Sequence, residues 1–344
     1  MKPTPLTHQR PGSPRLAAVI VNYRSWPDVV RLASELASAP EVAAGLAEVV
    51  VVDNASGDPI PPEFQGRTTG LRLIARPDNG GFAVGVNAAW KATSAHWLLL
   101  LNPDVVADRT LIRRTLERLG RIPEGSPTGV IGFGLRNPDG SRQPSVGAFP
   151  GLARTLREQF IPRSRRKYQA GWRTLAGPVD WVTGACALVS ARMMAELGGM
   201  DEDFFLYHEE VALCRAARDS GWGVAFDPGI EVVHLRPLQD RPISPKMRVI
   251  IRHSKLLYFR KHLPLQQFVA LSWIVELEAR LRGRWDRGDR ERASAWRAIA
   301  DLAGRMRQGE PIRGRGVLHL AEEAVAGRGP HGSRRSPARK DGTA

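Results

Sequence analysis

Short, unbroken apolar runs alternate with helix-like segments along the first 240 residues. Five such runs are Leu16–Val21, Ala47–Val52, Leu71–Ala75, Trp97–Leu101 and Gly129–Phe133. Runs without polar alternation are typical of strands buried on both faces, as in a parallel sheet covered by helices. The pattern therefore predicts an α/β domain with a mostly parallel central sheet.

Helical patterns fill the gaps between these runs. They cover Trp26–Ser38, Ala83–Thr93 and Asp108–Leu119, with Asp108 as the predicted N-cap. Residues 135–178 are rich in Gly, Pro and Arg and predict a long loop or lid. The later elements are an extended segment at 179–189, helices at Ala191–Leu197 and Glu209–Ser220, and strands Gly223–Phe226 and Ile230–His234 joined by a turn at 227–229.

Positive charge is concentrated near the C-terminus. The formal net charge is +15, and residues 241–344 hold 23 basic and 10 acidic side chains. Helical patterns there cover Lys246–His262, Leu265–Trp285 and Arg290–Arg307. The expected organisation is a flexible N-terminus at 1–15, a catalytic domain at 16–240, a basic helical region at 241–327 and a disordered tail at 328–344.

A basic region of this size implies an anionic partner, either a membrane surface or nucleic acid. No nucleic-acid recognition motif is present in its helices, so nucleic acid is the less favoured partner. The membrane hypothesis rests on one broad apolar face of the helix predicted at Leu265–Trp285 and on the arginines near the end of that helix. The alternative is that this face packs on the catalytic domain. The face consists of Phe268, Leu271, Ile274, Val275 and Leu281, followed by Arg280, Arg282 and Arg284.

The chain has two cysteines, no apolar run of roughly 18 to 20 residues, and no apolar core in its Pro-rich start. These features favour a cytoplasmic protein, peripheral at the inner face of the plasma membrane if the basic region binds lipid. Both cysteines are expected to be buried packing residues.

Polar residues follow four of the predicted strands. Asn22 and Tyr23 follow the first, Asp53 the second, a Gly-rich turn the third, and Asn102-Pro103-Asp104 the fourth. In open α/β sheets ligands bind at the carboxyl ends of the strands, so these residues are expected to surround one crevice. A dinucleotide-binding dehydrogenase is disfavoured, because no Gly-x-Gly-x-x-Gly follows the first strand.

The order of these motifs resembles that of the inverting glycosyltransferases of family 2, and in particular their bacterial rhamnosyltransferase-like branch. The resemblance covers roughly Leu16 to His234 and implies the nucleotide-sugar-binding GT-A fold. It rests on the segments VIVNYRS, VVVDNASGD, NGGFAVGVN, LLLLNPDV, VDWVTGACALV, GGMDEDFFLYHEEVALC and VVHL.

The resemblance implies roles for the donor-side residues. Asn22 and Tyr23 would border the nucleobase, and Asp53 would accept a hydrogen bond from a uracil or thymine ring N–H, which indicates a dTDP- or UDP-sugar. Asp53 could instead cap the following helix. Asn79, Gly80 and Gly81 would allow close backbone approach to the nucleotide, or form a plain turn.

Asp104, with Asn102, stands where the family holds Mg²⁺ or Mn²⁺ on the donor diphosphate, usually through Asp-x-Asp. A hard cation that keeps sites for phosphate and water needs only one or two protein ligands. His234 matches a histidine that completes this site in some relatives; the alternative is a hydrogen-bonded histidine at a strand end.

The segment Phe204–Cys214 stands where the family places its catalytic base. Alignment on Leu213 and Cys214 makes Glu210 the base and Glu209 its neighbour, while Ala212 replaces a second Asp. Inverting transfer needs one carboxylate to take the acceptor proton. The alternative is an acidic helix N-terminus favoured by the helix dipole.

Asp180, Trp181 and Gly184 resemble the family's acceptor and donor-sugar segment, although Trp181 could equally be a core residue. The implied activity is transfer of a sugar, rhamnose being suggested by the branch, to a lipid-linked or cell-surface glycan. Because Ala212 departs from the motif, an inactive glycosyltransferase-like binding protein remains an alternative.

Overall fold

The computed structural model describes residues 13–66, 69–158, 176–237 and 242–326. The predicted tail at 328–344 and most of the predicted flexible N-terminus lie outside these residues, as does 159–175 of the predicted lid. The boundaries of the predicted domains remain a prediction.

A ten-stranded sheet forms the centre of the fold. Eight of its strands follow the order β3-β2-β1-β4-β11-β6-β12-β5, while β7 pairs with β6 and β9 with β12. The strands are β1 (Leu16–Asn22), β2 (Ala47–Asp53), β3 (Leu71–Ala75), β4 (Trp97–Leu101), β5 (Val105–Val106), β6 (Thr128–Arg136), β7 (Arg142–Gln143), β8 (Val146–Gly147), β9 (Gly177–Pro178), β10 (Trp181–Val182), β11 (Cys186–Ser190) and β12 (Gly223–His234).

The first four strands are parallel, and β6 is parallel to β12, whereas β11 runs antiparallel to both β4 and β6. All seven residues of β1 are buried, because helices cover both faces of the sheet. The predicted α/β class with a mostly parallel sheet is confirmed.

Helices of very different lengths surround the sheet, and short 3₁₀ turns lie at Pro62–Phe64 and Asp286–Gly288. The helices are α1 (Trp26–Ala37), α2 (Pro40–Ala43), α3 (Phe82–Ala92), α4 (Thr110–Gly120), α5 (Leu152–Glu158), α6 (Ala191–Leu197), α7 (Glu209–Asp219), α8 (Pro245–His262), α9 (Leu265–Trp285), α10 (Arg290–Arg307) and α11 (Arg315–Val325).

Three local predictions are corrected. Residues 223–234 form one strand with a bulge between Asp227 and Glu231, because pairing with β6 continues in parallel on both sides of Pro228. The described part of the predicted lid contains β7, β8 and α5. Helix α11 was not predicted; it buries Val317, Ala321 and Ala324 along one side.

The C-terminal helices share a hydrophobic core with the central sheet. Val249 and Ile250 of α8 belong to the same hydrophobic core as Val19 and Leu100 of the sheet. None of the helices in the described ranges is long and apolar enough to cross a membrane.

The prediction of which α9 residues form a membrane-binding face is wrong. Phe268, Leu271 and Val275 are at most 4% exposed and join the core, and Ile274 is half-buried. Only Leu281 of the predicted set is exposed, because the packing of α9 on its neighbours buries the remainder.

Candidate active site

A cleft with a volume of about 560 Å³ lies between the sheet and the C-terminal helices. Half of the residues singled out from the sequence line it, whereas Asp180, the Gly-rich turn and the residues that end β1 and β2 lie outside its wall. The predicted residues that line it are Asn102, Asp104, Trp181, Gly184, Glu209, Glu210 and His234.

Asp104 and His234 meet although 130 positions separate them in the chain. Nε2 of His234 lies 3.3 Å from Oδ1 of Asp104 and 3.4 Å from Nδ2 of Asn102. On the other side of the ring, Nδ1 of His234 lies 3.0 Å from Oε1 of Gln143. With Nδ1 donating its hydrogen to Gln143, Nε2 is the ring nitrogen that faces Asp104: it donates to the carboxylate when the ring is protonated and offers a lone pair when the ring is neutral.

The charge state of Asp104 follows from its neighbours. Burial raises the pKa of this carboxyl, but the hydrogen bond and charge of His234, together with the charge of Arg236, outweigh burial and hold the pKa below its ordinary value. Nε of Arg236 lies 3.8 Å from Oδ2 of Asp104. Asp104 is therefore an anion at neutral pH.

The two predicted carboxylates occupy the first two positions of α7. Glu209 is 5% exposed, whereas Glu210 is half-buried, and both line the cleft. A Cβ atom at Gly184 would lie 3.7 Å from Cβ of Glu210, an ordinary van der Waals distance, so the start of α7 lies directly beside the 183–185 segment. Ala212 is buried in the core and is not part of the cleft wall.

A buried hydrogen-bond network joins the carboxyl ends of β1 and β2. Nδ2 of Asn22 donates to Oδ1 of Asp53 at 2.8 Å, and the hydroxyl and backbone N–H of Ser56 also donate to this carboxylate. Asp53 is 7% exposed. The network makes the position of Asp53 rigid, and its predicted role toward a nucleobase stays a prediction.

The Gly-rich turn has a structural reason for its glycines. Gly81 has a φ of +94°, and a Cβ there would lie 2.1 Å from the carbonyl oxygen of Phe205. A Cβ at Gly80 would lie 2.8 Å from Val84. Oδ1 of Asn79 accepts the Gly81 N–H at 3.0 Å. These contacts account for the turn, and approach to a nucleotide stays a prediction.

The remaining predicted residues have clear surroundings. Tyr23 is 41% exposed beside the strand ends. Asp180 forms an ion pair with Arg218 at 2.9 Å. Trp181 is 1% exposed and donates its indole N–H to the Ala148 carbonyl, as a core tryptophan does.

Burial is also the main cause that raises the thiol pKa of both Cys186 and Cys214 to about 12. Neither thiol is therefore ionised at neutral pH, as expected for packing residues.

Sequence patterns did not indicate the strained backbone at this edge of the sheet. Within the described ranges, the non-glycine residues with positive φ are Arg24, Ala55, Tyr207 and His208. Arg24 and Ala55 closely follow β1 and β2, and the other two directly precede Glu209. Such conformations cost about 1 to 3 kcal/mol each and cluster at functional sites. Their residue types gave no signal, since Gly or Asn would be expected at these angles.

The mostly parallel sheet with a cleft at its strand ends is the arrangement of the GT-A fold. The chain belongs to the glycosyltransferase like family 2, whose model matches residues 14–249. The predicted family and fold class are thus confirmed.

Two curated relatives are rhamnosyl- and hexosyltransferases. Over 237 residues the chain is 30% identical to the N-acetylglucosaminyl-diphospho-decaprenol L-rhamnosyltransferase of Mycobacterium tuberculosis, covering 64% of this chain and 75% of that protein. Over 256 residues it is 25% identical to the low-salt glycan biosynthesis hexosyltransferase Agl10 of Haloferax volcanii, covering 69% and 72%. Among solved structures it is similar to residues 1–349 of S. aureus TarS in complex with UDP-GlcNAc, with a TM-score of 0.49, 13% identity, and coverage of 91% and 92%.

Proposed function

We propose that this protein transfers a sugar, specifically rhamnose, from a dTDP- or UDP-sugar to a hydroxyl of a polyprenyl-diphosphate-linked glycan, with inversion at the anomeric carbon. The observation that carries the proposal is that Asp104, His234 and Glu210 line one cleft at the carboxyl ends of the strands. The relative named as an N-acetylglucosaminyl-diphospho-decaprenol L-rhamnosyltransferase supports this choice of sugar and acceptor.

Asp104 and His234 fit a divalent cation, Mg²⁺ or Mn²⁺. They offer an ionised carboxylate and, 3.3 Å from it, an imidazole nitrogen that is a metal ligand in the neutral form of the ring. The described part of the chain contains no group of three or more His, Cys, Asp or Glu residues that could hold a metal. Two protein ligands leave the other positions for diphosphate oxygens and water. When bound, the cation supplies positive charge that stabilises the departing diphosphate.

In the proposed mechanism the Glu210 carboxylate accepts the proton of the acceptor hydroxyl. The hydroxyl oxygen forms a bond to the anomeric carbon from the face opposite the diphosphate. The bond from that carbon to the diphosphate oxygen breaks, and the nucleoside diphosphate leaves with the electron pair. One displacement inverts the configuration, so a second carboxylate acting as a nucleophile is unnecessary.

The position of Ala212 argues against loss of activity. This residue departs from the family motif, yet it is 2% exposed and packed in the core. The cleft wall at the start of α7 therefore consists of Glu209 and Glu210, both of which are present.

The same proposal includes peripheral binding to an anionic membrane, through a face of α9 other than the one predicted. Trp273, Leu277, Leu281 and Trp285 are 45 to 82% exposed and recur every four residues. We call these four residues the α9 ridge. Arg280 and Arg284 are exposed on the same side of α9, opposite its buried face. Apolar side chains flanked by cations fit a surface of anionic lipid headgroups.

The proposed activity is tested by mixing purified protein with a panel of dTDP-, UDP- and GDP-sugars, Mg²⁺ or Mn²⁺, and a prenyl-diphosphate-linked N-acetylglucosamine. Nucleotide release and the glycolipid product are both measured. Acceptor-dependent release from dTDP-rhamnose supports the proposal. Transfer of a different sugar alone would contradict the choice of rhamnose, and no release from any donor would contradict catalysis.

A further inference from the structure

Three arginines from α8 and α9 surround one tryptophan of α10, in the part of the cleft wall that the C-terminal helices form. The guanidinium carbons of Arg248, Arg252 and Arg282 lie 5.3, 5.9 and 5.6 Å from the centre of the Trp296 ring. All four residues line the cleft. We call them the arginine cluster. Guanidinium groups within about 6 Å of a tryptophan ring are attracted to it, and each guanidinium has five N–H donors for oxygen ligands.

Positive charge in this cluster exceeds the negative charge near it. Arg252 and Arg282 share a single carboxylate, that of Glu278, at 3.0 and 2.9 Å. Among the described residues, no carboxylate forms an ion pair with Arg248, and its buried Nε has no hydrogen-bond partner. Leaving a buried charged donor unsatisfied is unfavourable, so the cluster is incomplete without an anion.

The charge of Arg248 is correspondingly disfavoured. Burial is the main cause that lowers its pKa, and the nearby charges of Arg252, Arg292 and Arg282 lower it further, against the opposing effect of Asp286. A bound anion would reverse this balance, because it would supply the missing negative charge and the missing acceptor.

One side of α8 extends from the arginine cluster to the segment that leads into α7. Arg248, Arg252 and Lys255 line the cleft at helical spacing, over an axial rise of about 10 Å. Ser254, the residue before Lys255, donates its hydroxyl to the Leu206 carbonyl at 2.8 Å, in the segment that leads into α7. A ligand that reaches from Glu210 to the cluster would therefore place a hydroxyl at one end and an anion at the other.

From this arrangement we infer that the arginine cluster binds the diphosphate of the lipid-linked acceptor and thereby directs the acceptor sugar toward Glu210. The inference rests on the proposed function, and it names the residues that bind the acceptor of that reaction. Paired phosphates offer the adjacent oxygens that guanidinium groups bind in bidentate fashion. The donor diphosphate has the same chemistry, but its site is proposed at Asp104, whereas the cluster is built entirely from α8, α9 and α10.

The test measures binding without catalysis. Full-length protein is titrated calorimetrically with geranyl diphosphate in the absence of divalent cations, and separately with dTDP in the presence of Mn²⁺. The variants are Arg248→Gln, Arg248→Lys and, as a matched control, Arg297→Gln, which removes an exposed charge of α10 outside the cleft. Thermal denaturation establishes that each variant is folded.

We expect Arg248→Gln to weaken geranyl diphosphate binding by roughly 10- to 100-fold, as loss of a charge-assisted hydrogen bond predicts. Arg248→Lys should lose less, Arg297→Gln should bind normally, and dTDP affinity should not change. Equal binding of geraniol, unchanged affinity in Arg248→Gln, or a parallel loss of dTDP binding would overturn the inference. Because no transfer is measured, these results are independent of the nucleotide-release test of the proposed function.

Discussion

The side-chain oxygen of Gln143 lies 3.0 Å from Nδ1 of His234, and this contact holds the ring with its Nε2 atom facing Asp104. Gln143 is 3% exposed, so water does not replace it as a partner. Nε2 of His234 then lies 3.3 Å from Oδ1 of Asp104. Gln143 is therefore a positioning residue for the proposed metal site.

Replacing Gln143 should weaken the metal site without removing a ligand. We expect Gln143→Ala to raise the Mn²⁺ concentration for half-maximal activity by about 10- to 100-fold, with a smaller effect on kcat at saturating Mn²⁺. Gln266→Ala, at an exposed position of α9, is the control. An unchanged Mn²⁺ dependence in Gln143→Ala would show that the contact does not orient a metal ligand.

Asp104→Asn should reduce turnover by at least about 10²-fold, because the amide loses the negative charge that holds the cation. Asp139→Asn, in an exposed turn, should behave as the wild type. Nucleotide release at a series of Mg²⁺ and Mn²⁺ concentrations measures both. Wild-type turnover with the same metal dependence in Asp104→Asn would contradict its assignment as a ligand.

His253 should make stability depend on pH. Burial lowers its pKa to about 4, although the Ile312 carbonyl and Asp203 partly oppose this effect. Between the ordinary value of about 6.5 and pH 4, the unfolded chain binds a proton that the folded chain excludes, so stability falls as the pH falls. From pH 7 to pH 4.5, wild type should lose about 2 to 3 kcal/mol more unfolding free energy than His253→Gln. Urea titrations at both pH values measure this difference, and equal losses would contradict it.

The α9 ridge should attach the protein to vesicles that contain phosphatidylglycerol. Leu281→Ser and Trp285→Ala should each weaken binding by about tenfold, since each removes a large apolar group from the lipid interface. Leu46→Ser removes a leucine of the same 45 to 46% exposure from another surface and is the matched control. Flotation at low salt decides the question. No binding by wild type, or an equal loss in Leu46→Ser, would remove the ridge from the account.

The sequence predicted the sheet well because its strands are unbroken apolar runs, which have few other stable placements. It could not choose the buried face of α9, since Phe268 and Leu271 on one side and Trp273 and Leu277 on the other are all apolar. Packing against α8 and α10 made that choice. Periodicity describes a helix by itself and not the surface that covers it.

The candidate site was predictable where motifs carry it, as at Asp104, His234 and Glu210. Gln143 was missed because it lies in a Gly- and Pro-rich segment with weak periodicity, and its partner is 91 positions away. In the sequence, the arginine cluster was recognisable only as part of the excess positive charge near the C-terminus. Its convergence on Trp296 depends on how three helices pack, which helical spacing alone does not determine.

The central claim is that Glu210 is the base of an inverting sugar transfer. Adjacent helical positions point about 100° apart, and Glu209 is the more deeply buried of the two glutamates. The decisive comparison is therefore between Glu210→Gln and Glu209→Gln, each of which removes one carboxylate at nearly constant volume.

The measurement is kcat for acceptor-dependent nucleotide release, with donor affinity determined by titration on the same preparations. We predict that Glu210→Gln lowers kcat by roughly 10²- to 10⁴-fold with little change in donor affinity, and that Glu209→Gln lowers it less. A larger loss in Glu209→Gln, or near-normal kcat in both variants, would contradict the account.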